Sequence, residues 1–233
     1  LHTAYRRQRQ MCIRDSLYPE VNGGWHQFSP YNELVKRFEC IDGKTIEESP
    51  LYDEDNPYDN RDPRMLYTVM ISGKSSFQGR EYNADPSSDS PDRYGKYSVW
   101  SGYCIAKFMD GGFNGNLMNY GGNFILIRYP EVLLSYLESK LEAGDAIDQS
   151  LLDATINKVR GRQSVNMPAV TETTANSLRE IIRRERSVEF AFEGLHYYDI
   201  LRWGTASEEL NRQFTGMKLT LSLIHISEPT RPY

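Results

Sequence analysis

Two stretches of this chain are dense enough in ionisable side chains to do chemistry. Arg183-Arg184-Glu185-Arg186, with Glu189 just beyond, sets three guanidinium groups beside two carboxylates. Such a set could bind an anion or supply a catalytic acid. On a helix, however, Glu185 shares a face with Ile181, Val188 and Phe192, and a carboxylate in apolar surroundings needs a buried cation. Arg128, Arg160 and Arg202 are candidate partners through forked hydrogen bonds. Glu185 and Arg186 are therefore expected to belong to a structural ion-pair network. Glycoside hydrolysis needs two facing carboxylates, and no such pair is defined by the spacing, so no catalytic residue is assigned. The second stretch holds Asp53, Glu54, Asp55, Asn56, Asp59, Asn60 and Asp62. These are oxygen ligands of the kind calcium takes, but the central glycine and terminal glutamate of an EF-hand are missing. The stretch reads as a solvated acidic loop in which Asp62, followed by Pro63, caps a helix start. No metal and no cofactor is expected.

The aromatic residues suggest a different chemistry. Trp25 follows Asn22-Gly23-Gly24, and Trp100 precedes Ser101-Gly102. Both have loop-like flanks, and a flat apolar ring can stack on a sugar face without using charge. Trp100 is the first candidate ligand contact, with Trp25, Tyr97 and Tyr103 beside it; core packing is the alternative for each. Trp203 is expected in the core. His26 and His196 have no metal-like partners in sequence and read as polar packing or surface. Gly111-Gly112-Phe113-Asn114-Gly115 and Gly121-Gly122-Asn123 lack the Lys-Ser/Thr ending of a phosphate loop and read as flexible loops.

The two ends look unlike evolved protein. Reverse-translated, the second half of residues 1–16 and residues 221–231 fit the two partner adapters of transposase-based sequencing, with Pro232 and Tyr233 as index bases, and both tails are set aside as artefacts. Residues 17–220 then carry 22 Lys and Arg against 30 Asp and Glu, a net charge of −8, compared with −5 for the whole chain. The basic N-terminal patch disappears with the adapter, and an acidic surface disfavours nucleic acid. Cys40 and Cys104 remain, without disulfide spacing. No window of eighteen apolar residues is present.

The elements that must position these residues differ along the chain. Residues 17–123 are rich in Gly, Pro, Asn, Asp and Ser and read as loops with short elements. Among these are a helix over 31–38 begun by Ser29-Pro30, a strand or short helix over 65–71, an exposed loop over 82–93, and strand within 97–108. Residues 124–220 read as helices. Pro130 starts one that runs to about residue 143 and is ended by Gly144, with a wide buried face over Val132, Leu133, Leu134, Tyr136, Leu137 and Leu141. A second, over 150–160, makes an antiparallel hairpin with it, of tetratricopeptide-like proportions. A third starts at Ser177 in a capping box with Glu180 and is stopped by Gly194. A fourth covers 197–203, and a short one lies near 207–214.

Four blocks resemble the SusD/RagB family, in the family's order. They are Gly43-Lys44 with Tyr52-Asp53, Pro57-Tyr58 and Asn60-Arg61-Asp62-Pro63-Arg64; Ile127-Arg128-Tyr129-Pro130-Glu131-Val132-Leu133-Leu134 with Glu138 and Lys140; Ile156-Asn157-Lys158-Val159-Arg160-Gly161-Arg162; and the run from Glu185-Arg186 through Glu193, Gly194 and Arg202 to Trp203. The resemblance implies a mainly α fold, with tetratricopeptide-like hairpins beside a loop-rich region of short strands. It implies structural roles for Asp62, Arg128, Glu185, Arg186, Glu193, Gly194, Arg202 and Trp203. It also implies a lipoprotein of the outer membrane at the cell surface, anchored through an N-terminal cysteine. Such a protein captures an oligosaccharide or other nutrient for a SusC-like TonB-dependent transporter, and is not an enzyme. The anchor and early helices are expected to lie outside this fragment. The alternative is a helical scaffold that binds another protein and no small ligand.

Overall fold

The computed structural model describes residues 16–96, 99–109 and 125–218. Tyr97, the two glycine-rich loops and nearly all of both adapter-like ends lie outside the described residues. The elements are α1 (Asn32–Arg37), α2 (Arg64–Thr68), β1 (Val69–Met70), β2 (Ser76–Phe77), β3 (Arg80–Glu81), β4 (Cys104–Ile105), α3 (Tyr129–Glu142), α4 (Gln149–Ala154), α5 (Ile156–Arg160), α6 (Ala175–Glu189), α7 (His196–Arg202) and α8 (Ala206–Asn211). The fold is mainly helical. Two compact units interleave along the chain. One contains the described residues of Leu1–Val35, Leu66–Asn123 and Arg212–Tyr233, the other those of Lys36–Met65 and Phe124–Asn211. The loop-rich stretch 17–123 and the helical stretch 124–220 thus each contribute to both units.

The helical unit is built on α3. Leu134, Leu137 and Leu141 recur on one face and pack with Leu152 of α4, Ile156 and Val159 of α5, Leu178 and Ile182 of α6, and Phe190. Pro130 lies in the first turn of α3, and Gly144 follows its end at φ 77°. The apolar face is narrower than its sequence suggests: Val132 and Tyr136 are half exposed, on the side away from the leucines. The helix read over 150–160 is two. Thr155 breaks it at φ −121°, ψ −97°, and its hydroxyl donates to the Leu151 carbonyl at 2.5 Å. A hydroxyl that bonds back one turn competes with the helix ladder. Helix α6 begins after Thr174, so Ser177 lies inside it and caps nothing; its end is Glu189, five residues before Gly194. Phe192 and Gly194, at φ 63° and 81°, turn the chain into α7.

The other unit is built from loops around two small antiparallel pairings, Val69↔Ile105 with Met70↔Cys104 and Ser76↔Glu81 with Phe77↔Arg80. Residues 65–71, for which helix and strand were both open, are both in turn: α2, then β1. Tyr18, Met70, Phe77, Tyr82, Ala84 and Cys104 form its core. The stretch 82–93 is not the exposed loop its composition suggests, since Tyr82, Ala84 and Asp92 are fully buried.

The two faces of α3 give a direct test. Leu137→Ala removes a fully buried side chain and is expected to cost about 2–5 kcal/mol. Val132→Ala, on the exposed face, is expected to stay within about 0.5 kcal/mol. Urea melts of the two variants compare them; equal losses would place Val132 in the core.

Candidate functional site

Trp25 is displayed by a tight loop. The Asn22 and Gly24 amides donate to the Pro19 carbonyl, and the Gly23 amide to Glu20. Gly24 lies so close to Tyr18 that a Cβ there would sit 2.2 Å from the Tyr18 carbonyl oxygen, so only glycine fits. The next residue after Trp25, His26, is completely buried while Trp25 is 59 % exposed. His26 Nδ1 lies 3.2 Å from Asp92 Oδ1, and Nε2 lies 2.9 Å from the Tyr103 carbonyl oxygen. The Asp92 carboxylate also accepts the amides of Glu20 and Val21 at 2.7 and 2.9 Å. With an acceptor before each ring nitrogen, the arrangement suits the doubly protonated imidazolium. Burial opposes that charge, but the hydrogen bond to Asp92, aided by Cys104 and the Tyr103 carbonyl, outweighs it and raises the pKa to about 10.

Trp100 is displayed in a similar way. It is 59 % exposed between two buried neighbours, Val99 and Ser101. The Met217 amide holds the Ser101 carbonyl at 2.7 Å, and the Tyr82 hydroxyl donates to the Gly102 carbonyl at 3.0 Å. Tyr103 does not share this exposure. At 1 % it lies in the core, with its hydroxyl 3.0 Å from Asn32 Oδ1, and it offers no face to a ligand. Phe28 and Tyr67, passed over in sequence, are also exposed in this unit; for Phe28 the signal was available, three residues beyond Trp25.

The ionisable cluster lies in the helical unit. Arg64 Nη1 meets Glu185 Oε1 at 2.5 Å and Glu189 Oε2 at 3.0 Å, and Arg64 Nη2 meets Asp62 Oδ2 at 2.7 Å. Arg160 reaches Glu185 at 2.9 Å and Glu39 at 2.7 Å. Arg162 forks onto Glu189, Arg128 joins Glu189 to Glu193, and Arg184 completes Glu39. Of the three anticipated partners of Glu185, Arg160 is present, whereas Arg128 and Arg202 serve other carboxylates; Arg64 was missed. A second group sets Arg186 on Asp199 at 2.9 and 3.0 Å and Arg202 on Glu138 at 2.5 and 2.7 Å. Trp203 is not in the core. It is half buried, donates Nε1–H to Glu138 at 2.6 Å, and has the Arg183 and Arg202 guanidinium groups 5.2 and 5.0 Å from its ring centroid. A hollow of ≈ 250 Å³ beside this group is lined by Ser135, Glu138, Ser139, Glu142, Arg186 and Arg202. Both arginines are already matched to carboxylates, which leaves little attraction for an anion.

Burial pushes the Glu189 carboxyl up, but the Arg162 and Arg128 hydrogen bonds and the Arg64 charge prevail and hold it at about 2. A general acid needs the opposite shift. In the acidic loop, Asp53 is turned onto its own neighbours, accepting from the Asp55 amide at 2.9 Å and from Asn56 Nδ2 at 2.8 Å. Asp62 accepts the Arg64 amide at 2.9 Å, as a helix cap does. Among the described residues, no group of three or more His, Cys, Asp or Glu is arranged to hold a metal ion.

The SusD family profile matches residues 2–221. The chain belongs to the SusD family. It superposes on a SusD-like carbohydrate binding protein from Bacteroides fragilis with a TM-score of 0.81 at 38 % identity, covering 88 % of this chain and 41 % of that one. A second SusD-like protein from the same organism gives 0.64 at 30 % identity, covering 79 % and 38 %. A SusD superfamily protein from Bacteroides vulgatus shares the fold at 0.58 and 20 % identity, covering 83 % and 37 %. This chain therefore spans about two fifths of the length of these solved relatives. Among curated proteins no significant match is found. In this SusD-family chain all four sequence blocks fall in the helical unit and build its ion pairs, whereas Trp25 and Trp100 lie in the other unit.

Removing Glu185 takes away the carboxylate that bridges the buried Arg64 and Arg160, leaving Arg64 with Asp62 and Glu189 and Arg160 with Glu39. Glu185→Ala is expected to cost about 3–5 kcal/mol, as for breaking a buried pair. The Glu189 contribution has a defined pH sign: its folded pKa is depressed, so the stabilisation is complete above the ordinary 4.5 and disappears as pH falls through about 2. Acid titration of thermal stability should show a decline within that window, steeper in the parent than in Glu189→Gln. A parent no more acid-sensitive than the variant would remove Glu189 from the stability of the unit.

Proposed function

We propose that this SusD-family chain is the ligand-holding part of a surface lipoprotein that captures a glycan and passes it to a SusC-like TonB-dependent transporter in the outer membrane. The observation that carries this reading is the display of Trp25 and Trp100, two half-exposed indoles each set between buried or tightly packed residues. Rigid aromatic faces bind sugar rings at low ordering cost and without countercharge. The likeness to a SusD-like carbohydrate binding protein at 38 % identity supports the same ligand class. The protein acts by holding and transfer, not by turnover; the ionisable clusters serve the fold. Anchoring belongs to an N-terminal lipidated cysteine of the complete protein, and no helix among the described residues is long and apolar enough to cross a membrane.

A protein-binding scaffold is the second reading. It is favoured by the exposed Tyr129, Val132 and Tyr136 of α3 and Tyr197, Tyr198 and Leu201 of α7. Affinity electrophoresis against glucan, xylan, mannan and galactan separates the two. Trp100→Ala is expected to weaken binding by about 1–3 kcal/mol, by analogy with base stacking, or roughly five- to 150-fold. Its melting temperature should barely move. Silence with every glycan, alongside stable capture of a defined protein, would favour the scaffold. A complete gene with no SusC-like neighbour would count against delivery.

A further inference from the structure

Trp25 and Trp100 are far apart in sequence, yet one buried pair holds the segments that carry both. His26 directly follows Trp25, and its Nε2 is 2.9 Å from the carbonyl oxygen of Tyr103, three residues after Trp100. Its Nδ1 is 3.2 Å from Asp92, which in turn accepts the Glu20 and Val21 amides of the loop that closes on Trp25. His26 and Asp92 are both completely buried. His26 also has φ 43°, a left-handed backbone that a non-glycine residue adopts only when its surroundings enforce it. Two sets of contacts enforce it: its amide donates to the Tyr18 carbonyl at 3.0 Å, and its ring is held at both nitrogens. This strained turn reverses the burial from one residue to the next, placing the imidazole inside and the neighbouring indole outside.

We propose that the His26–Asp92 pair is the positioning element of a two-tryptophan platform, fixing from one buried point the segments that display Trp25 and Trp100. This rests on the reading of those tryptophans as ligand contacts. Two indoles held from one node suit a ligand with at least two sugar faces, an oligosaccharide chain in preference to a single sugar. Stacking on both is efficient only if neither has to be ordered on binding. The pair touches no ligand itself; it acts through the backbone.

The chain has three tryptophans, which makes the test specific. The full chain is labelled with 5-fluorotryptophan, and the ¹⁹F lines of Trp25, Trp100 and Trp203 are followed in Asp92→Asn, well below its melting temperature. Positioning predicts that the Trp25 and Trp100 lines shift or broaden together while Trp203 stays, and that glycan affinity falls tenfold or more. A merely structural loss would lower the melting temperature and leave the lines of the folded protein in place. Unmoved Trp25 and Trp100 lines in folded Asp92→Asn, or moved lines with full affinity, overturn the proposal. If the unaltered chain binds none of the four polysaccharides, the proposed function falls, and the lines alone decide the positioning. Should Asp92→Asn not fold, His26→Gln, which retains amide donors, is read in the same way; failure of both to fold makes the pair a general requirement of the fold and also overturns the proposal.

Discussion

A carboxylate taken out of water must meet its countercharge inside the protein, and in the helical unit this requirement organises everything else. Glu39, Asp62, Glu185 and Glu189 are nearly inaccessible, and among the described residues the buried guanidinium groups paired with them are those of Arg64 and Arg160. Two cations cannot neutralise four anions. The balance is supplied from the rim, where Arg128, Arg162 and Arg184 reach inward with their heads and keep partial contact with water. Arginine suits both positions because its fork satisfies two oxygens at once and it stays charged. The leucine core beneath needs only approximate shape; the charged layer needs each partner in place, since one missing member leaves an uncompensated charge.

That constraint explains which parts of the fold were legible in the sequence. The four recognisable blocks supply most of this layer, through Asp62 and Arg64, Arg128, Arg160 and Arg162, then Glu185, Glu189 and Glu193, and also the second group, Glu138, Arg186, Asp199, Arg202 and Trp203. Helix α3 was legible from its leucine spacing, and Glu185 from its place on an apolar face. Its main partner was not, because Arg64 is 121 residues away and nothing local to Arg64 marks it as buried. Trp203 was misplaced for the same reason: its indole N–H is used by Glu138 of α3 and its ring by the Arg183 guanidinium of α6, both far away in sequence. Local competition misled the helix boundaries. The Thr155 hydroxyl splits one helix into two, and Ser177 resembled a cap but lies inside α6.

The candidate ligand site was legible only in outline, and the cause is again long-range. Glycine-flanked tryptophans can be found by inspection, and the Gly24 contact with Tyr18 explains why the flank must be glycine. Burial of Tyr103 could not be read, because its hydroxyl partner, Asn32, is 71 residues away. Residues 82–93 look like a solvated loop by composition, yet they carry Asp92, which is paired with a histidine 66 residues upstream. A loop-rich unit stores its specificity in such single contacts, where a helical unit stores it in periodic faces.

The two units also place charge under opposite pH limits. In the loop-rich unit His26 has a raised pKa, so its ion pair contributes in full below the ordinary 6.5 and is lost as pH rises through about 10. In the helical unit Glu189 has a depressed pKa, so its pairs contribute in full above 4.5 and are lost as pH falls through about 2. Both contributions are complete only between about 4.5 and 6.5, and each declines gradually outside that interval. At neutral pH the His26 contribution has begun to fall, yet the imidazole stays almost wholly protonated, because its folded pKa lies near 10. Stability and geometry therefore separate: the Trp25 and Trp100 segments keep their charged anchor well above the pH at which the anchor's contribution to folding begins to decline.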